Sequence, residues 1–287
     1  MISVVIPAFN AASTIDRQLA SLARQTYRGR WEVVIADNGS TDDTRTRIDA
    51  WTEQIPILRV VDASDVSGAN HARNVGASAA RGDFLLFCDA DDEAARGWVE
   101  AMASAATEHD LLGGAIDVER LNTARVRGWV EQTQWERLPR VLDFLPYSLS
   151  ANLGLWRDVM EDLGGWNEAF TRPAGDDVDL CWRAQLNSYR LGFQPAAVMH
   201  YKYRDRLRPM ARQHFGYGAA EPLLYKRFKE HGFERPSAKD VLANYVRLAK
   251  DIPYLITRPH MRGIWIRKVA HHAGRLSGSI KNRVVFL

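Results

Sequence analysis

The chain has 287 residues, 46% of them hydrophobic and 25% charged, an ordinary globular balance that excludes a disordered or fibrous protein and allows one or two domains. Its net charge of +3 hides an asymmetry: residues 1–199 hold 19 Lys and Arg against 29 Asp and Glu, residues 200–287 hold 19 against 6, and every Lys follows His200. Two cysteines, Cys88 and Cys181, make no disulfide framework, the start lacks the basic region of a signal peptide, and no window reaches the ~18 apolar residues of a membrane span.

In chain order, Ile2–Pro7 is a short β-branched strand, and Ser13–Arg24 a helix with Ile15, Leu19 and Leu22 at helical spacing. Trp31–Ala36 is a second strand ending in the turn cluster Asp37-Asn38-Gly39-Ser40. Asp42–Trp51 reads as a helix, Ile57–Val61 as a strand, Gly68–Ala80 as a small-residue helix and Phe84–Cys88 as a strand running into Asp89-Ala90-Asp91-Asp92. Leu111–Val118 and Leu149–Leu155 are further strands, Arg157–Leu163 a helix stopped by Gly164-Gly165, Asp177–Leu186 a helix and Ala196–Tyr201 a short strand. Residues 120–147 have no clear period and are read as a loop or broken helix over a site. Three helices follow at 207–230, 237–250 and 260–280. Strands alternating with helices predict an α/β fold, with a mostly parallel sheet that binds ligands outside the carboxyl ends of its strands.

Three polar clusters fall at those ends: Pro7–Asn10, residues 37–43 and residues 89–92. Three carboxylates in four residues repel one another unless a cation neutralises them, and Mg²⁺ or Mn²⁺ prefers such oxygens. In extended backbone Asp89 and Asp91 would share one side; an acidic cap for the helix at 94–106 is the alternative. Asp37 at a strand end can accept from ribose hydroxyls or a base N–H, or the loop can simply cap a helix. Ser67–Asn74 opens a helix with small residues, which suits close approach of a phosphate with Arg73 beside it, or else only tight packing. Asp176, Asp177 and Asp179 crowd a helix start, where the dipole favours acids with or without catalysis. His200 is either a metal ligand or an ordinary histidine.

Taken together, Val4–Asn10, Asp37–Asp42, Gly68–Asn74, Asp89–Asp92, Gly164–Phe170 and Asp176–Arg183 resemble, in this order, the motifs of family 2 glycosyltransferases over about residues 1–203. The resemblance implies a GT-A fold, Rossmann-like with helices on both sheet faces, with residues 204–287 as a basic helical extension. Residue by residue, it implies that Pro7, Ala8, Asn10 and Asp37 line a nucleotide pocket, with Asn38 and Gly68 in its loops. Arg73 would lie near the diphosphate. Asp89, with Ala90, would face the nucleotide or donor sugar, and Asp91 would hold the divalent metal with His200 as a further ligand. Trp166 belongs to the acceptor-side loop, and Asp177 matches the catalytic base. Asp176 stands where the family usually has Glu, which leaves its acceptor contact open.

The activity so implied is inverting transfer of one sugar from a nucleotide-diphosphate sugar, UDP- or dTDP-linked, to the hydroxyl of a glycan, glycolipid or secondary metabolite. A processive synthase would carry spanning helices and Gln-x-x-Arg-Trp, whereas Gln213-His214-Phe215-Gly216-Tyr217 lacks the Arg and Trp. A non-catalytic binding module should lack the base or the metal ligand. A nucleotidyltransferase would show a Gly-rich basic loop after the first strand. The basic tail, with aromatics interleaved over Leu207–Lys229, points to an anionic membrane surface or a lipid-linked acceptor, and fits intramolecular packing or a homodimer contact equally well; nucleic acid is not expected. The expected place is the cytoplasm, with peripheral attachment to the inner face of the cell membrane.

Overall fold

The computed structural model describes residues 1–55, 57–130, 134–135, 137–170 and 174–286. Its first half alternates as the periodicity predicts: β1 (Ile2–Ala8), α1 (Ile15–Ala23), β2 (Trp31–Asp37), α2 (Thr44–Asp49), β3 (Leu58–Asp62), α3 (Ala69–Ala79) and β4 (Phe84–Phe87). These four strands are all parallel, in the order β3-β2-β1-β4. Their β-branched runs are continuous because both faces are covered. Val4, Ile6, Val33 and Ile35 pack against Ile15, Leu19, Ile48 and Trp98, and the alternate residues Val5, Val34 and Phe87 pack against Ala77, Met160 and Leu180.

The second half contains β5 (Glu93–Ala94), α4 (Trp98–Ala105), β6 (Leu111–Asp117), α5 (Ala124–Val130), β7 (Gln134–Trp135), β8 (Leu153–Trp156), α6 (Arg157–Asp162), α7 (Asp176–Leu186) and β9 (Leu191–His200). The sheet continues as β4-β8-β6-β9-β5, with β7 beside β6. Here β8 runs antiparallel to β4 and β6, and β5 and β7 are antiparallel as well, so a mostly parallel sheet carries three short reversed strands. The last strand is longer than its sequence pattern predicts. Pro195 breaks the ladder, and a register shift opposite Gly114/Ala115 absorbs it. Of the segment 120–147, residues 124–130 are helical, while 131–133 and 136 lie outside the described residues.

Four helices close the chain: α8 (Leu207–Phe228), α9 (Ala238–Asp251), α10 (Tyr254–Thr257) and α11 (Pro259–Asn282). Of the alternatives that the composition of α8 left open, intramolecular packing takes up its apolar residues Leu224 and Phe228. Leu224 and Phe228 are buried with Val178 and Trp182 of α7, and with Phe233 and Phe286, in one apolar cluster. Residues 1–203 and 204–287 therefore share a core. α8 and α11 lie so close that a methyl group on Gly218 would strike the His271 carbonyl, and one on Gly274 the Phe215 carbonyl. Among the described residues, no helix is long and apolar enough to cross a membrane.

Candidate active site

The first three strand ends are stitched into one loop system. Asn10, with φ of 49°, accepts at Oδ1 from the Thr41 amide at 2.8 Å, and Asp37 Oδ1 accepts from Ser40 N at 3.0 Å. The Asn38 amide is spent on the loops: its Nδ2 donates to the Ala63 and Val66 carbonyls, and its Oδ1 accepts from Gly68 N at 2.8 Å. Asn38 is thus a brace rather than a free ligand contact. Ala8 is buried in the core, and its carbonyl accepts from Asn38 N. Pro7 is half-buried and Asn10 exposed. Gly68, which caps α3, has open space where a side chain would stand.

After β4 the chain turns at once, so Asp89 and Asp91 meet through a turn and not through extended alternation. Oxygens of Asp89, Asp91 and Asp92 all lie within 4.8 Å of one another. Asp92 is fully buried; its Oδ1 accepts from Lys202 N at 2.8 Å, while its buried Oδ2 has no hydrogen-bond partner. Burial, with the Asp91 and Asp89 carboxylates beside it, pushes its pKa well above the carboxylate range. Burial also raises Asp91, although Arg204 Nη1 stands 2.7 Å from its Oδ2. Ala90 faces the core, not a ligand. An all-oxygen set with one orphaned buried oxygen fits a hard divalent cation.

His200 falls outside this set. Its Nδ1 lies 2.5 Å from Asp117 Oδ2, its partner across the β6–β9 ladder. The cavity described below is lined by the next residue, Tyr201, and not by His200.

Arg73 stands between the two acidic groups. Its guanidinium is buried, with Nη1 on Asp176 Oδ2 at 2.9 Å and on Asn70 Oδ1 at 2.9 Å, and Nη2 on Asp89 Oδ1 at 3.1 Å and on Ser150 Oγ at 3.0 Å, while its Nε has no hydrogen-bond partner. Its face lies 4.9 Å from the Trp166 ring centre. Trp166 is itself buried against Phe87. Arg73 reaches the cavity described below while Trp166 does not, and the Arg73 guanidinium anchors Asp89 and Asp176.

α7 brings the second acidic group. Gly175, at φ +77°, begins the helix where a Cβ would come within 2.8 Å of Ala220 on α8. The next two residues are held by that contact. Asp177 Oδ1 accepts from Val178 N at 2.9 Å. Burial, reinforced by the Asp176 carboxylate, raises its pKa to about 7.

Asp89, Asp91, Asp176 and Asp177 line one cavity of about 350 Å³. Its far side comes from the C-terminal helices, through Gln213, His214, Tyr217 and Glu221 of α8 and Arg267 and His271 of α11. Tyr147, Tyr201, Tyr203 and Tyr217 supply aromatic walls. Burial, with Arg267 and His271 nearby, pushes His214 down to about 3, so its imidazole is neutral. Pro7, Ala8, Asn10, Asp37, Asn38 and Gly68 do not line this cavity. The sequence reading missed Arg204 and the helical wall. Arg204 stands 113 residues from its partner Asp91, and the cavity residues of α8 sit inside an ordinary amphipathic pattern.

The profile of the family described as "Glycosyl transferase family 2" matches residues 3–149. The pre-mycofactocin glycosyltransferase of Mycobacterium tuberculosis is 31% identical over 238 residues, 78% of this chain and 48% of that protein. Validoxylamine A glucosyltransferase of Streptomyces hygroscopicus subsp. jinggangensis is 28% identical over 214 residues, 64% of this chain and 51% of that protein. The chain spans about half the length of these two curated relatives. Among solved structures, the mannosyltransferase PcManGT of Pyrobaculum calidifontis, in complex with GDP-Man and Mn²⁺, is similar with a TM-score of 0.66 at 20% identity, over 96% of this chain and 86% of that one. S. aureus TarS 1-349 in complex with UDP-GlcNAc gives 0.55 at 22% identity, over 75% of this chain and 66% of that one.

Proposed function

Since the chain belongs to glycosyl transferase family 2 and has its GT-A architecture, we propose that it transfers a single sugar from a nucleoside-diphosphate sugar to an acceptor hydroxyl, with inversion. The observation that carries this reading is one cavity lined both by Asp89 and Asp91 and by Asp177, whose pKa is near 7. A general base works best when its pKa lies near the working pH.

The nucleotide would lie over the strand ends, along Pro7, Asn10, Asp37 and the open space at Gly68. Asp91, with Asp89 beside it, would hold a divalent cation, Mg²⁺ or Mn²⁺, which when bound supplies neutralising charge to the diphosphate. Asp177 takes the proton of the acceptor hydroxyl as that oxygen bonds the anomeric carbon. The bond from that carbon to the β-phosphate oxygen breaks on the opposite face, and the nucleoside diphosphate leaves with the electron pair. Arg73 keeps Asp89 and Asp176 fixed during the exchange.

The tyrosine-lined side of the cavity is the acceptor side in this reading, because none of the nucleotide-loop residues reach it. The helices of 204–287 are then part of the catalytic unit and not a detachable domain. The test is nucleoside diphosphate release from a panel of nucleotide sugars with Mn²⁺ or Mg²⁺. Asp177→Asn should stop release while a thermal shift with donor persists. Pyrophosphate release would point to nucleotidyl transfer instead, and a product ladder to a processive synthase.

A further inference from the structure

α9 and α10 bridge the two long helices that wall the cavity, and their apolar face turns outward. Leu242, Tyr245, Val246 and Ile252 recur at helical spacing and are 65%, 42%, 44% and 52% exposed; Ile256 on α10 is 80% exposed. Single exposed apolar residues are normal, but a contiguous stripe is not. Leu248 is the one buried residue of α9. Its carbonyl accepts from Trp265 Nε1 at 3.0 Å, and the Tyr245 ring lies 5.1 Å from that of His272. These two contacts run α9 antiparallel to α11. Leu276 and Ile280, in the next turns of α11, are exposed as well.

The charge around this face is mainly positive: α9 carries Lys239, Arg247 and Lys250 against Asp240 and Asp251, and the two acids lie on the side of the helix away from the stripe. On the α9 wheel Lys239 and Lys250 flank the stripe, both exposed, and Arg258 and Arg262 follow, also exposed. Beyond Asp251 the chain holds seven Lys and Arg and no acidic residue. A second copy of the chain would bring like charges together here, whereas lipid phosphates complement them. We propose that this face docks on an anionic lipid bilayer, with α9 lying in the headgroup plane, its apolar stripe at the acyl boundary and its lysines on phosphates. The site differs from the α8 aromatics, which are spent on the core. It also stands apart from the sugar-transfer reading, because none of these stripe residues lines the cavity.

The experiment is co-sedimentation of the full chain with vesicles of phosphatidylglycerol and phosphatidylcholine, against phosphatidylcholine alone, at low and high salt. Expected are binding that needs the anionic lipid and weakens with salt, and a loss of about tenfold or more in Val246→Asp/Ile256→Asp. Both side chains are solvent-exposed, so the melting temperature of that variant should match the parent. Lys239→Glu/Lys250→Glu should weaken binding with the apolar stripe intact. A full chain that stays in the supernatant, or a Val246→Asp/Ile256→Asp variant that sediments like the parent, would overturn the proposal. So would a concentration-dependent dimer that the same variant abolishes, which would assign the face to a second copy.

Discussion

Arg73 and Asp176 form an ion pair of 2.9 Å in which each side chain is 3% exposed, and the same guanidinium holds Asp89. Removing the cation strands the Asp176 carboxylate away from water and deprives Asp89, whose side chain is 28% exposed, of its partner. Breaking a buried pair from one side costs about 3–5 kcal/mol. Arg73→Met should therefore lower the midpoint of a denaturant titration by that much, and it should abolish sugar transfer because Asp89 and Asp176 lose their anchor. Asp176→Asn keeps a hydrogen-bond acceptor and should cost less. Equal losses in the two variants would mean that Arg73 is not the hub of the site.

Asp177 should announce itself through pH. If it is the base, kcat/KM rises with pH through a midpoint near 7, set by burial and Asp176, and Asp177→Asn lowers kcat by about 10²–10⁴-fold. The stability effect has the opposite direction. A carboxyl raised from 3.8 to about 7 on folding costs nothing when both states are protonated. The cost grows as the unfolded state ionises above pH 3.8 and is complete above pH 7. Asp177→Asn should thus melt higher than the parent above pH 7 and lose that gain toward pH 4. A variant that is less active and also less stable at pH 8 would count against the assignment.

The acid turn after β4 makes a metal prediction with a binding readout. Asp91→Asn should remove the thermal shift that Mn²⁺ gives in the presence of nucleoside diphosphate, and chelator should remove it from the parent. Asp92, fully buried with an unpartnered Oδ2, has a different role. Asp92→Asn should preserve the fold, since the Lys202 amide keeps its acceptor at Oδ1. Isothermal titration of Mn²⁺ against the three proteins checks both statements.

The parallel half of the sheet was legible because strands buried on both faces print continuous apolar runs, as in Val4-Val5-Ile6 and Val33-Val34-Ile35. The acidic clusters were legible because uncompensated charge beside such runs has few explanations. What the sequence hid was direction. Trp166 and Arg73 look like ligand contacts by motif, but they pack on each other, and four of the guanidinium's five N–H donors are spent within the protein. His200 and Tyr201 are neighbours in sequence, and only the second lines the cavity. β9 was truncated at Pro195 because a bulge leaves no local signature. Tyr217 and Glu221 became visible only when α8 was laid over α7, a contact made across about forty residues of chain.

Gly175 is where that contact is tightest. Its φ of +77° disfavours any side chain, and a Cβ would meet Ala220 at 2.8 Å and Phe170 at 3.2 Å. Gly175→Ala should cost about 1–3 kcal/mol in strain. It should also lower kcat, because Asp176 and Asp177 follow directly. Denaturant titration and steady-state kinetics on one preparation separate the two effects, and a variant that is destabilised but fully active would show that the start of α7 tolerates displacement.

The last prediction concerns the boundary near residue 203. Trp182 is fully buried, with its ring 5.2 Å from Phe228 and 4.7 Å from Phe233, and Val178 and Phe170 belong to the same cluster. A chain cut after residue 203 would expose this whole surface beside the catalytic carboxylates. Losing buried aromatic partners costs about 3–5 kcal/mol per side chain, and several are lost together, against a typical domain stability of about 5–15 kcal/mol. The fragment 1–203 should therefore fail to unfold cooperatively and should aggregate or bind a hydrophobic dye, although every family motif lies within it. A fragment that melts sharply and binds donor would instead make the helices a separable appendage, and the acceptor side of the cavity would have to be sought in residues before 204.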